Sequence, residues 1–277
     1  MIQIEFVNDM GRIVMGADSD LRIIEIDGVG LATKTRNVAS YSGIAGQNKL
    51  SETVNARTIT IKGDIKSTAP QSVLTRMMRI LNSTGTLKMR FGSKRRSIKA
   101  DCTECDISDR NGAYQPFIIQ FICDYPYFSD INSTQVHVFD IQRKLKTTFS
   151  LPCVFSTRIA EKDILNKGDV VCEPIFYITA VSVGESDGNI IIANESTAQK
   201  IVLAYKPARG EVITVDIENR TIKSSVNGDI IYSLDDDSYL SDFYFAKGSN
   251  RISITNESGG EINVLCRFSN KYIEAVY

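Results

Sequence analysis

The chain has 277 residues, 43% of them hydrophobic, with a formal net charge of −1, one histidine and no tryptophan. That length suits one large core or two ordinary ones, and two domains is the expectation. The balanced charge excludes a strongly basic binder of nucleic acid or anionic membrane, so any such contact would have to be local.

From Met1 to Met10 apolar and polar residues alternate, without a basic segment or an unbroken apolar run, which reads as a strand and not as a signal peptide. No stretch approaches the roughly 18 apolar residues of a membrane helix, so the chain is expected to fold in a cytoplasm without membrane insertion. In that reducing setting the six cysteines read as thiols, and Cys123, Cys153, Cys172 and Cys266, set among apolar residues, as core packing.

Between Gly28 and Asn55 the alternation is lost. The segment from Lys34 to Ser51 is polar, rich in small residues and long for a connection within a compact domain. It is expected to be an arm reaching a neighbouring subunit, with Lys34, Arg36, Tyr41, Gln47 and Lys49 as its candidate contact residues. Beyond it, Ile59, Ile61, Gly63 and Ile65 share one face of a strand and Thr58, Thr60, Lys62 and Asp64 the other. One helix is predicted at about Pro70 to Leu81. Ser67 and Thr68 offer capping hydroxyls, Pro70 suits a first turn, and Val73, Leu74, Met77, Met78 and Leu81 recur at helical spacing before Gly85. Leu87, Met89 and Phe91 return to period two, and Phe117 to Cys123 is apolar enough to be a strand covered on both sides. A lone helix among strands implies a β-barrel or curled sheet closed by that helix.

The polar stretch from Phe128 to Thr134 marks a boundary, giving domains 1–133 and 134–277. From Val136 onward, turn signals at Asn166–Asp169, Ser186–Asn189, Lys206–Gly210, Asn227–Asp229, Lys247–Asn250 and Glu257–Gly260 punctuate short apolar runs, as in a β-sandwich.

Candidate chemistry is sparse. His137, flanked by valines, would have to serve any histidine-dependent mechanism, and it reads as one face of a strand. Cys102 and Cys105 form the single CxxC, without the second ligand pair of a zinc site or the βαβ setting of a redox motif, and read as two thiols at a strand turn. Lys94, Arg95 and Arg96 read as a solvated hairpin tip. Asp235, Asp236 and Asp237 lack the alternating ligands and turning glycine of a calcium loop and the geometry of a hydrolytic carboxylate pair. Asn82, Asn132, Asn194 and Asn256 begin glycosylation-type triplets that, without a secretory signal, read as polar turns. No Walker loop, GxGxxG or HExxH is present. No catalytic, metal or cofactor site is therefore assigned, and the chain is not expected to be an enzyme.

Two regions resemble a known family. Leu21 to Leu31, a Tyr41-to-Gly46 loop, Arg57 to Gly63, the capped helix, the Gly85 turn and above all Phe121-Ile-Cys-Asp-Tyr-Pro-Tyr-Phe128 resemble, in that order, the N-terminal half of siphophage distal tail proteins. Asn166 to Val170 followed by Glu173 to Ile175, Ile192 to Asn194, Gly210 to Asp216, Asn219 to Ile222, Asn227-Gly228 and Lys247 to Asn250 resemble the sandwich domain of many members. The resemblance implies a mainly β protein, with an N-terminal split, tail-tube-like β-barrel bearing one helix and a C-terminal galectin-like β-sandwich. It implies a hexameric ring at a phage or prophage tail tip that joins tail tube to baseplate hub. Its partners would be identical copies, the tail tube and tape measure proteins, the hub or tail-associated protein and the receptor-binding protein. DNA would pass through the ring without a specific site, and no cofactor is implied. The alternative is a carbohydrate-binding tail adhesin acting through the sandwich, although that domain offers Tyr232, Tyr239 and Tyr244 but no tryptophan for ring stacking.

Overall fold

The structure is a computed structural model that describes residues 2–43, 45–67, 69–110, 112, 114–143, 156–159, 161–185 and 187–275. The chain divides into two compact units, Met1–Ile131 together with Tyr272–Tyr277, and Asn132–Lys271. The sequence had placed everything after 133 in one domain. The difference at the C-terminus arises because the Ile273 carbonyl and the Ala275 amide bond to Arg57 and Val29 of the first unit, contacts with no local pattern to announce them.

The first unit contains β1 (Ile2–Asn8), β2 (Gly11–Gly16), β3 (Leu21–Asp27), β4 (Lys34–Ala39), β5 (Asn48–Val54), β6 (Arg57–Ile65), α1 (Pro70–Leu81), β7 (Gly85–Phe91), β8 (Lys94–Ile107), β9 (Gln115–Cys123) and β10 (Phe128–Ser129). Seven of the strands close a barrel in the order β8-β7-β1-β2-β3-β6-β9, completed by pairing of β9 with β8. The barrel is closed, yet a trace of the expected split persists: β2 and β3 meet through the single parallel pair Met15–Leu21.

Period two is explained by the barrel interior. Phe6, Ile59, Ile61, Ile65, Leu87, Met89, Phe117, Ile119 and Phe121 are all buried, with Phe6 and Phe121 ring centroids 5.1 Å apart. Gly63 lies on the same face because a Cβ there would stand 2.6 Å from the Phe117 ring and 2.3 Å from the Arg22 carbonyl oxygen. The expectation that β9 is covered on both sides needs correction: its inner residues are buried, but Ile118 on the other face is exposed. β8 changes partner along its length, from β7 up to Ala100 to β9 from Asp101, with a bulge between Cys102 and Glu104 just beyond the change. Such a bulge lets one long strand turn a barrel corner.

The helix spans Pro70–Leu81 as predicted, but its capping differs. The N-cap is Ala69, with no side-chain cap; the Ser67 hydroxyl instead accepts the Ala69 amide (3.2 Å), and Thr68 lies outside the described residues. Met77, Ile80 and Leu81 are buried, whereas Met78 is exposed, one position off the apolar stripe. Asn8, at the β1–β2 turn, ties the helix end down by donating to the carbonyls of Ile80 (2.6 Å) and Ser83 (3.2 Å).

The second unit contains β11 (Thr134–Arg143), β12 (Ser156–Ile159), β13 (Glu161–Asn166), β14 (Ile175–Ala180), β15 (Ile190–Asn194), β16 (Gln199–Leu203), β17 (Val212–Asp216), β18 (Thr221–Ser224), β19 (Gly228–Asp229), β20 (Gly248–Asn256) and β21 (Ile262–Phe268), and β22 (Lys271–Tyr272) leads out of it. Two sheets form a sandwich, β12-β11-β21-β14-β17-β18-β19 and β13-β20-β15-β16. Between them lie Phe176, Phe243, Phe245 and Phe268, packed largely edge to face. Cys172 and Cys266 are buried here and Cys123 in the barrel, and burial pushes all three thiols up, Cys172 and Cys123 to about 12. Cys153 lies outside the described residues.

Several motifs read as turn chemistry prove to be interior plugs. Asn194, which begins a glycosylation-type triplet, is fully buried and donates to the Tyr244 carbonyl (3.0 Å) and to Asn250 Oδ1 (3.2 Å). Asn166 bridges the carbonyls of Val170 and Phe245 and accepts the Gly168 amide. Glu211, 2% exposed, accepts from the Tyr205 and Ser224 hydroxyls and the Ala208 amide. Burial alone would push its carboxyl up, but those three donors outweigh burial and hold it below its ordinary value. A carboxylate lowered in the folded state stabilises above its unfolded value of about 4.3, and that contribution disappears as pH falls through the folded value. Glu211→Gln is therefore expected to destabilise the second unit by about 1–2 kcal/mol at neutral pH. Urea unfolding at pH 7 and at pH 3 should show this deficit shrinking in acid, and a deficit independent of pH would contradict the assignment.

Candidate functional site

The segment expected to be a loop carries two strands, β4 and β5, which form a ribbon and among the described residues pair only with each other. Nearly every residue of it is exposed. The antiparallel register sets Arg36 opposite Glu52 and Asn37 opposite Ser51, and a bulge between Asn37 and Val38 leaves Leu50 without an opposite residue. One face then carries Lys34, Arg36, Val38, Lys49 and Glu52. The other is uncharged, with Asn37 bonded to Ser51 (2.9 Å) and Thr35 to Asn55 (2.9 Å).

On the charged face Lys34 (2.7 Å) and Lys49 (2.6 Å) share the carboxylate of Glu52. Hydrogen bonds from Lys34 and then Lys49 hold that carboxyl down to about 2. With Glu52 committed to the two lysines, Arg36 forms no salt bridge among the described residues. Tyr41 and Gln47 stand exposed in the connection between the strands. The five candidate residues thus all lie on the arm, but only Lys34 and Lys49 converge on one partner. Leu50, 69% exposed at the bulge, and the exposed Leu31 and Val38 were missed. A lone leucine in a polar stretch gives little sequence signal.

The base of the arm is clamped by another residue the sequence did not single out. Arg57, 3% exposed, donates to the carbonyls of Gly28, Gly30, Pro126 (2.8 Å) and Ile273 (2.7 Å) and stacks over Phe128 at 4.5 Å. Gly28 at φ +82° supplies a turn conformation that favours glycine, and a Cβ there would meet the Thr58 carbonyl oxygen at 2.0 Å. The Pro126-Tyr-Phe closure is therefore one wall of the clamp.

The remaining candidates separate. Arg96 is not part of a solvated tip: it pairs with Asp130 (3.1 Å) and lies 3.5 Å over the Tyr272 ring. His137 is exposed on β11 opposite Leu265. Cys102 and Cys105 sit half-buried at the β8 bulge with thiols pushed up by burial, Cys105 to about 11. Among the described residues, no group of three or more His, Cys, Asp or Glu could hold a metal ion, and no helix is long and apolar enough to cross a membrane. Asp235, Asp236 and Asp237 form an exposed turn in which the Asp235 carboxylate accepts the Asp237 amide (3.4 Å).

No family model matches the sequence, and no curated protein matches it. Solved structures do. The Dit protein of phage SPP1, described as a paradigm of the hub adsorption apparatus in phages that infect Gram-positive bacteria, is 12% identical with a TM-score of 0.71, over 98% of this chain and 99% of that one. A chain of the phage P2 baseplate in its activated, calcium-containing conformation is 11% identical with a TM-score of 0.54, over 96% and 98% of the two chains. At these identities the likeness is one of fold, and the chain has a Dit-like fold from end to end.

Proposed function

We propose that the chain is a structural subunit of a phage or prophage tail tip, whose copies close into a ring, six in number, that joins the tail tube to the baseplate hub and its receptor-binding apparatus. The observation that carries this reading is the end-to-end likeness to the SPP1 Dit hub protein, both units included and almost no residue of either chain left over. The arm supports it. A two-stranded ribbon with both faces in water is marginal by itself, and it is clamped at its base rather than along its length, as suits a segment that completes its contacts on another copy. The barrel unit is the ring-forming domain in this reading. The sandwich, taken as galectin-like, contributes an outer surface, and tape measure, hub and receptor-binding proteins are the partners. No enzymatic step is assigned.

Light scattering of the purified protein over a concentration series, with negative-stain images of the same fractions, tests the reading. A closed particle of about six copies is expected. A species that stays monomeric at every concentration, alone and with tail tube protein added, would overturn it. A second reading, the carbohydrate-binding adhesin, draws on the exposed Tyr232 and Tyr239 of the sandwich, which could stack on sugar rings. Binding to cell-wall polysaccharide that is lost in Tyr232→Ala would favour it.

A further inference from the structure

The barrel carries an open strand edge that complements the arm. β3 pairs with β6 from Leu21 to Asp27, but on its other side, among the described residues, only Leu21 has a strand neighbour, Met15 of β2. From Arg22 to Asp27 that side of the strand has no strand partner among the described residues. A cleft of about 670 Å³ opens beside it, lined by Ile2, Ile23, Ile24, Ile26 and Phe91, with Arg22 and Glu274 among its polar groups. Ile24 is the extra residue of a bulge and is 63% exposed. An unpaired edge beside an apolar cleft accepts an extended segment by strand addition: backbone hydrogen bonds hold it, and alternate side chains enter the cleft.

We propose that this edge receives the β4 edge of the arm of a neighbouring copy. The proposal rests on the ring reading above and names the surface that the arm engages. One charge pair, at Asp27, favours this occupant. On β3, Glu25 is paired with Lys62 (2.8 Å), whereas Asp27 forms no salt bridge among the described residues. On the arm, Arg36 is the cation left over once Lys34 and Lys49 have taken Glu52. The ribbon also brings exposed apolar groups, Val38 and Leu50, to cover Ile24 and Ile2. Arm and edge are different surfaces of one chain, so copies can join head to tail, and a head-to-tail contact whose rotation closes gives a ring.

The test uses full-length protein. Ile24→Cys and Val38→Cys are made in separate chains, mixed, and treated with a short thiol-specific crosslinker, with wild type as the control for native thiols. A crosslinked pair is expected in the mixture and in neither variant alone. In parallel, Asp27→Lys or Arg36→Glu should each raise the concentration at which half the chains are assembled by about tenfold, and the doubly reversed chain should restore it. Both positions are exposed, and unchanged circular dichroism and thermal unfolding would show that each variant folds. Normal particles with no crosslink and no charge effect would overturn the strand addition and leave the ring standing. A further variant carrying both cysteines is treated alone: a crosslink within that chain, with none in the mixture of single variants, would also overturn the proposal, because the arm would then lie on its own barrel. Wild-type chains that never assemble, even with tail tube protein, would remove both readings.

Discussion

Arg57→Ala is expected to destabilise the first unit by about 4 kcal/mol, at the upper end of what one substitution does. The side chain is almost wholly buried and donates to four backbone carbonyls, those of Gly28, Gly30, Pro126 and Ile273. Burial disfavours its charge and lowers the guanidinium from its usual value, yet arginine stays protonated throughout the physiological range. A hydrogen bond from a charged donor contributes about 1.5–3 kcal/mol. Bonds sharing one group are not additive, and entering water would satisfy part of what is lost, so the total falls well short of a simple sum. Arg57→Lys should recover only a fraction, because an ammonium lacks the planar fork that reaches carbonyls on several sides. Urea unfolding resolved by unit, together with hydrogen exchange, checks this: the second unit's transition should not move, and amides near Gly28 and Gly30 should exchange faster. A shift below about 1 kcal/mol would show that the clamp is incidental to stability.

The second large effect is expected in the sandwich. Asn250→Leu should destabilise the second unit by about 3 kcal/mol despite its similar branched shape. Asn250 is fully buried; its Nδ2 donates to the carbonyls of Ala246 (2.8 Å) and Gly248 (3.1 Å), and its Oδ1 accepts the Ala246 amide (2.8 Å) and Asn194 Nδ2 (3.2 Å). Leucine would leave those groups enclosed without partners, and a hydrophobic gain of similar size cannot offset so many stranded polar atoms. Thermal unfolding followed by a probe in the sandwich gives the measurement. A near-neutral result would mean that water fills the site as well as the amide does.

These residues also mark where the sequence could be read. Strands that face a core on one side show their period, so the barrel strands around Ile59 and Leu87, the helix and the sandwich turns are legible from spacing alone. The ribbon has water on both faces and therefore no alternation, and β4 and β5 read as a loop until their pairing is seen. Arg57 was detectable in principle. It falls at the period-two position of Ile59, Ile61 and Ile65, and an arginine on an apolar face marks a buried guanidinium that must find acceptors. Which acceptors it finds was not legible, since Ile273 lies 216 residues away. The open edge of β3 was hidden for a related reason: composition records which side of a strand is apolar, not whether its backbone has a neighbour on both sides.

The return of the chain to the first unit has a bearing on the order of events during synthesis. Ile273 and Ala275 leave the ribosome only after residues 132–271 have been made, while β1 to β9 are already available to pair. A nascent barrel therefore waits with Arg57 short of one acceptor and with the Val29 carbonyl lacking the Ala275 amide. The clamp at the root of the arm is therefore complete only in chains that already carry their downstream unit. Under the proposed ring assembly, chains that still lack residues 273 and 275 would therefore be poor partners for one another.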